Sequence, residues 1–221
     1  MKKPKSIGEF KILGFNVVIS HKFTTPISLD SVFLEYKRRV PEYSYSGLES
    51  IYIGDFKFLK DRQINAMYDN GVFFISNDQD DEDDLLDDLI HETAHLIEDN
   101  HSAEIYSDLQ IENEFLNKRK QLFRELSTGD YIDHSMENYF KDPQYNRQFD
   151  SYLYNIITYP ILAMASVNTF YSPYAITSLR EYFANGFEAI YHRKDTKRLK
   201  KISPILYNRI IEMEKKYEPN I

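Results

Sequence analysis

The chain has 221 residues, enough for one medium-sized domain or two closely packed lobes, and 42% of them are hydrophobic, which is enough to build a core. Its formal net charge of −8 argues against nucleic acid as a partner, because phosphate binding needs clustered lysine and arginine. It contains no cysteine, so no disulfide framework can stabilise the fold.

The first 20 residues are basic in part, but they contain neither an uninterrupted apolar stretch nor a small-residue cleavage site. They are therefore not typical of a signal peptide. The longest apolar stretch, residues 159–171, is shorter than the roughly 18 residues that a membrane span requires, and it is predicted to be core. We expect a cytoplasmic protein with no membrane partner. Secretion by another route and the oligomeric state stay open.

The first third of the chain is predicted to mix strands with a helix. Residues 10–20 are rich in β-branched and aromatic side chains and predict a strand. Residues 28–40 have a polar start, apolar residues at helical spacing and a basic last turn, which is typical of a helix. Residues 50–56 and 71–76 are short apolar runs bounded by turn residues and predict two further strands.

From about Asp83 onward the pattern is helical throughout, and Pro160 is expected to end or kink one of the helices. This order predicts an α+β fold: a single domain, 1–221, with a mixed-sheet N-lobe at about 1–100 and a helical C-lobe at about 101–221. The predicted helices cover 83–99, 102–126, 147–169, 177–192 and 203–217.

Two charged segments need an interpretation. Residues 78–88 hold eight acidic side chains, which suit the start of a helix because carboxylates interact favourably with its dipole. A calcium loop is the alternative, but the central glycine of the EF-hand pattern is missing. The acidic run could also favour basic substrates. The basic residues at 193–201 predict a solvated helix surface.

The stretch at 91–95, HETAH, is an H-E-x-x-H motif. Residues four apart on a helix share one face, so His91 and His95 can direct two imidazoles at one metal ion. Glu92 is then placed to accept a proton from a water that the metal activates. Apolar residues around the motif predict a buried helix. These residues are Leu85, Leu86, Leu89, Ile90, Ala94, Leu96 and Ile97.

A catalytic zinc ion usually has three protein ligands, and two residues are candidates for the third. His101 has the spacing of the metzincin pattern H-E-x-x-H-x-x-G-x-x-H. Glu98 stands where that pattern has the glycine that lets the chain turn, which argues against His101. The stronger candidate is Glu181, which lies among large apolar residues and needs a cation or a hydrogen-bond partner to be buried.

The segment EYFANGF, which starts at Glu181, resembles the helix that carries the third ligand in gluzincins related to the anthrax lethal factor catalytic domain and to the Pro-Pro endopeptidases. The resemblance covers mainly 71–126 and 172–192. It implies a zincin-like metallopeptidase fold and Zn²⁺ as cofactor, with His91, His95 and Glu181 as metal ligands. It also implies Glu92 as general base and Tyr174, seven residues before Glu181, as the phenol that assists the oxyanion. The chain departs from the family at Asn185, where a second glutamate is common.

The sequence therefore predicts a zinc metalloendopeptidase of the gluzincin type that acts on a peptide or protein substrate. The strand at 72–76 is expected to be the sheet edge along which an extended substrate lies. Residues 128–171 are expected to form a cap facing the substrate. Two alternatives stay open: a metzincin-type peptidase with His101 as third ligand, and a non-catalytic binding module that keeps a zincin fold.

Overall fold

A computed structural model describes residues 7–129 and 131–218. The fold is α+β, as predicted, with a five-stranded mixed sheet followed by a helical region. The chain divides into two compact units. One consists of the described residues up to Asn100 together with Tyr217 and Glu218, and the other is His101–Lys216. None of the described helices is long and apolar enough to cross a membrane.

The sheet of the first unit has the strand order β1-β2-β3-β5-β4. The inner pairs β2–β3 and β3–β5 are parallel, whereas the outer pairs β1–β2 and β4–β5 are antiparallel. The strands are β1 (Gly8–Ile12), β2 (Phe15–Ile19), β3 (Ser50–Gly54), β4 (Ala66–Asp69) and β5 (Val72–Ser76), and the helices between them are α1 (Leu29–Arg39) and α2 (Lys57–Arg62).

Two tight turns that were not predicted give the sheet more strands than the sequence indicated. Residues 10–20 form two antiparallel strands instead of one, because Leu13 and Gly14 adopt positive φ angles of 49° and 100°. Asn70 and Gly71, with φ angles of 49° and 79°, make the same kind of turn between β4 and β5. Successive positive φ angles are typical of two-residue hairpin turns. The expectation that β5 is an edge strand is wrong, because β5 pairs with β3 on one side and with the unpredicted β4 on the other. On this side of the sheet the edge strand is β4.

The two faces of the sheet are both buried, because successive side chains of a strand point to opposite sides. On one face, Val18, Tyr52 and Phe74 pack with Phe56 and Leu59 at α2. On the other face, the ring of Phe15 lies 5.4 Å from Phe33 and 5.6 Å from Tyr36 of α1, measured between ring centroids. The alternating residues Val17, Ile51, Ile53, Phe73 and Ile75 of this second face are fully buried.

Helix α3 (Glu82–Tyr106) follows the sheet and carries the H-E-x-x-H motif. The sequence predicted two helices, 83–99 and 102–126. The structure instead continues α3 to Tyr106, and only His101 has non-helical angles, with φ −129° and ψ 20°. The next helix begins at Gln110, after Leu109 adopts a positive φ of 59°.

The second unit is helical. The predicted helix at 147–169 is divided by Thr158, whose φ is 74°, and Pro160 lies in the first turn of the helix that follows. The described helices of this unit after α3 are α4 (Gln110–Thr128), α5 (Glu137–Phe140), α6 (Arg147–Tyr152), α7 (Tyr159–Ser166), α8 (Leu179–Tyr191), α9 (Thr196–Ile202) and α10 (Pro204–Tyr217), with a π-helical turn at Leu153–Ile157.

Candidate functional site

The H-E-x-x-H motif lies on a helix whose apolar side is buried. The seven apolar residues that flank the motif are at most 3% exposed, as the sequence predicted. Burial of this side fixes the rotation of the helix, because each such side chain gains roughly 1.5–3 kcal/mol when it leaves water. The helix therefore holds its two histidines in a fixed direction.

His91 and His95 are brought together as the i, i+4 spacing predicts. Their Nε2 atoms lie 3.2 Å apart, with the two rings inclined by 80°. Two nitrogens bound to one zinc ion at about 2.05 Å with a tetrahedral angle would be about 3.3 Å apart. The spacing and direction of the imidazoles therefore fit a shared metal ion.

Glu98 contacts one of the two histidines, and this contact was not predicted from the sequence. Its carboxylate oxygen lies 2.9 Å from Nδ1 of His95, and the side chain is buried. Because a carboxylate only accepts, Nδ1 carries the proton and Nε2 keeps its lone pair, which is the tautomer a metal ligand needs. The signal in the sequence was the i, i+3 spacing of the two residues on one helix face.

Glu92, the predicted general base, is 3% exposed. Its negative charge acts on the carboxyl group of Asp88, which lies one helical turn earlier. The pKa of Asp88 is raised from 3.8 to about 7, mainly by burial and also by the negative charges of Glu92 and Asp84, while a hydrogen bond from Gln79 and the charge of His91 oppose the rise. That bond, from Nε2 of Gln79 to the Asp88 carboxylate, is 2.8 Å long.

The middle of the motif is attached to α1 through hydroxyl groups. Oγ1 of Thr93 donates to the carbonyl of Leu89 at 2.7 Å and lies 2.6 Å from the phenol oxygen of Tyr36. Burial raises the pKa of Tyr36 well above its ordinary value, so its hydroxyl stays protonated. These contacts fix the position of the motif along α1 as well as its rotation.

His101, the metzincin-type alternative, lies beyond a regular stretch of helix. Glu98 keeps helical angles, so the chain does not make the turn that the metzincin pattern places at this position. A residue six positions further along a regular helix is about 9 Å away along the axis and about 240° around it. His101 instead places its Nδ1 atom 3.9 Å from a carboxylate oxygen of Glu104.

The second unit contains the other two predicted site residues. Glu181 lies in the first turn of α8, where its backbone N–H donates to Oγ of Ser178, the N-cap residue, at 3.2 Å. Tyr174 begins a single 3₁₀ turn, Tyr174–Ile176, that leads into this helix. Both side chains are half-buried. The local structure thus places the phenol and the carboxylate on one short continuous segment.

Asn185, where the chain departs from the family pattern, is buried on α8. Its amide nitrogen lies 3.1 Å from a carboxylate oxygen of Glu188, and its Oδ1 atom has no hydrogen-bond donor among the described residues. The amide oxygen thus keeps its capacity to accept a hydrogen bond from a histidine N–H.

Comparison with known proteins finds no matching family model, no matching curated protein and no matching solved structure. The resemblance to gluzincins consequently stands on the motifs at His91–His95 and at Glu181 alone.

Proposed function

We propose that the protein is a zinc-dependent endopeptidase with a zincin-like fold of the gluzincin type. The observation that carries this proposal is the pair of histidine Nε2 atoms at 3.2 Å. A buried helix, an orienting carboxylate on His95 and a buried glutamate between the two histidines accompany the pair.

The proposed metal ligands are His91, His95 and Glu181. Two imidazoles and one carboxylate are a donor set that zinc accepts in catalytic sites with an open fourth position. The donor chemistry therefore fits zinc.

The protein's own residues supply the proton transfers of the proposed reaction. A bound zinc ion would lower the pKa of a water molecule and polarise the scissile carbonyl. Glu92 accepts the proton of the attacking water and returns it to the leaving amine. The phenol of Tyr174 donates a hydrogen bond to the oxygen on which negative charge develops. Glu98 keeps His95 in the tautomer that leaves Nε2 without a proton.

One edge of the sheet is the proposed place for an extended substrate. That edge is β4, not β5, and it is fixed to α3 by a hydrogen bond of 2.7 Å from the Tyr68 hydroxyl to the Asp99 carboxylate. An extended peptide can add to an edge strand through backbone hydrogen bonds. We propose this edge because it is attached directly to the motif helix.

Glu92→Gln tests the proposal. The amide has nearly the same shape but cannot accept the proton, so we expect unchanged zinc content and a loss of about 10²–10⁴-fold in kcat on a cleavable peptide. Peptide-library cleavage by the wild type, and its loss on addition of a chelator, identify the substrate and tie the activity to the metal. Hydrolysis retained in Glu92→Gln would refute the mechanism.

A further inference from the structure

Arg119 of α4 is a buried cation held by backbone carbonyl groups. Its side chain is fully buried, and its guanidinium carbon lies 4.5 Å from the ring centre of Phe115 and 4.8 Å from that of Phe149. Among the residues that the structure describes, its hydrogen bonds all go to main-chain oxygens and none goes to a carboxylate. A charge buried without a carboxylate partner is costly, so its position needs a reason.

Two of the carbonyls that Arg119 binds lie between Tyr174 and Glu181 in the chain. Its Nε donates to the carbonyl of Ile176 at 2.8 Å, and Nη2 donates to the same oxygen and, at 2.8 Å, to that of Thr177. These two residues end the 3₁₀ turn of Tyr174 and directly precede the cap of α8. Both are buried, so their carbonyls would otherwise lack water as a partner.

The guanidinium also connects this turn to a second segment. Its Nη1 donates at 3.0 Å to the carbonyl of Tyr139, and it donates to the carbonyl of Asp142 as well. The planar fork of an arginine can bind acceptors on two sides at once, whereas a lysine ammonium is a single point of charge. The geometry therefore requires arginine and not merely a cation.

The neighbouring residue, Lys118, binds the segment that leads into the Tyr174 turn at its start, Thr169. Its Nζ donates to the carbonyl of Thr169 at 2.6 Å and to Oγ of Ser203 at 2.8 Å. Residues 118 and 119 point to different sides of α4, because successive residues of a helix are about 100° apart. The segment from Thr169 to Thr177 is thus attached at both ends to one turn of α4.

We propose that Arg119 is a positioning residue for the proposed peptidase reaction: it fixes the carbonyls of Ile176 and Thr177 so that the Tyr174 phenol and the Glu181 carboxylate keep a constant relative position. This inference rests on the proposed function for its catalytic consequence. The fixation itself is a property of the metal-free chain and is measurable without activity.

Amide hydrogen exchange of the metal-free protein tests the fixation. Arg119→Lys keeps the charge but loses the fork, so we expect exchange in residues 173–181 to accelerate by about tenfold or more. Arg209→Lys is the matched control. Arg209 also donates to helix-end carbonyls, at Glu104 and Ile105, but makes no bond to residues 169–181. Unchanged exchange in folded Arg119→Lys, or equal acceleration in the control, would overturn the proposal.

The wild type gives an independent measurement if Arg119→Lys does not fold. Residues 173–181 should open together with the part of α4 around Arg119, at the same rate and with the same denaturant dependence. If this segment exchanges more than about tenfold faster than α4, the guanidinium does not fix it, and the proposal is wrong.

A double-mutant cycle tests the catalytic consequence. We expect Arg119→Lys to lower kcat by about tenfold with little change in KM or zinc content, and to lower it by less than about threefold in a Tyr174→Phe background. Equal losses in both backgrounds would show that Arg119 does not act through Tyr174. If the wild type neither cleaves peptides nor binds zinc, the proposed function fails, while the exchange result still decides the role of Arg119.

Discussion

At the residue scale, Glu98 makes a contact with His95 that sequence patterns alone did not predict. The metzincin pattern has a glycine at this position, and the glutamate there looked only like a mismatch. In the structure its carboxylate lies 2.9 Å from Nδ1 of His95 within a regular helix. The sequence identified His91, Glu92 and His95 because their spacing is a known motif, whereas an orienting carboxylate has no fixed position in a motif.

Removing the Glu98 carboxylate should weaken zinc binding. We expect Glu98→Ala to raise the Kd for zinc by about 10–100-fold, because the His95 tautomer is no longer fixed. Glu98→Gln should have a smaller effect, since its amide oxygen still accepts the Nδ1 proton. Asp99→Asn, which removes one charge from the neighbouring residue, is the control. Competition with a chromophoric chelator measures the Kd, and equal affinities in all four proteins would contradict the assignment.

Asp88 should make stability depend on pH in the metal-free protein. Its pKa rises from 3.8 in the unfolded chain to about 7 in the fold, so between these values the folded state keeps a proton that the unfolded chain releases. Stability therefore falls as the pH rises from about 4 to about 7. Asp88→Asn removes this dependence and still accepts the hydrogen bond from Gln79.

Urea denaturation at pH 5 and pH 8 measures the Asp88 effect. Relative to wild type, Asp88→Asn should be more stable at pH 8 than at pH 5 by on the order of 1 kcal/mol, a value reduced because the side chain is half-buried and partly screened by water. The same difference between the two proteins at both pH values would show that the Asp88 carboxyl does not take up a proton on folding.

At the element scale, α8 contains Gly186, which weakens a helix in isolation. The structure gives the reason for the glycine: a Cβ atom there would come within 2.4 Å of Cδ2 and 2.9 Å of Cγ of Leu206, a fully buried residue of α10. In the sequence, Gly186 is visible only as a residue of low helix propensity. A close approach between two helices leaves no periodic pattern by which it could be predicted.

Gly186→Ala should therefore destabilise the protein. The gain in helix propensity is about 1 kcal/mol, but overpacking against Leu206 costs about 1–3 kcal/mol, so we expect a net loss of about 1 kcal/mol. In a Leu206→Ala background the added methyl group fills empty space and should stabilise instead. Urea denaturation of the four proteins measures both effects. The same sign in both backgrounds would contradict the packing argument.

Among the elements, those predicted correctly have strong periodicity or clear caps. Helix α1 begins after Ser28, whose side chain accepts from the backbone N–H of Ser31, and ends after a basic turn, as the pattern indicated. The errors come from turns. The tight hairpins at Gly14 and Gly71 were not recognised, so β1 and β2 were merged and β4 was missed. These hairpin turns depend on positive φ angles at two successive residues, and in the sequence the only sign of those angles is the pair Asn-Gly or Leu-Gly.

At the scale of the whole molecule, the order of strands followed by helices was sufficient to predict an α+β fold. The order of the strands within the sheet was not, because parallel pairing of β2, β3 and β5 joins segments that are distant in sequence. Likewise, the i, i+4 spacing on one helix was sufficient to predict that His91 and His95 lie together, whereas the proposed third ligand, Glu181, is 90 positions after His91. That ligand is the central claim to test.

Zinc stoichiometry on purified wild type, Glu181→Ala and His101→Ala tests this claim most directly. The gluzincin proposal predicts about one zinc ion per chain in the wild type and in His101→Ala, and a loss in Glu181→Ala, because catalytic zinc needs three protein ligands. Loss of zinc in His101→Ala with retention in Glu181→Ala, equal zinc in all three proteins, or no zinc in the wild type would contradict it.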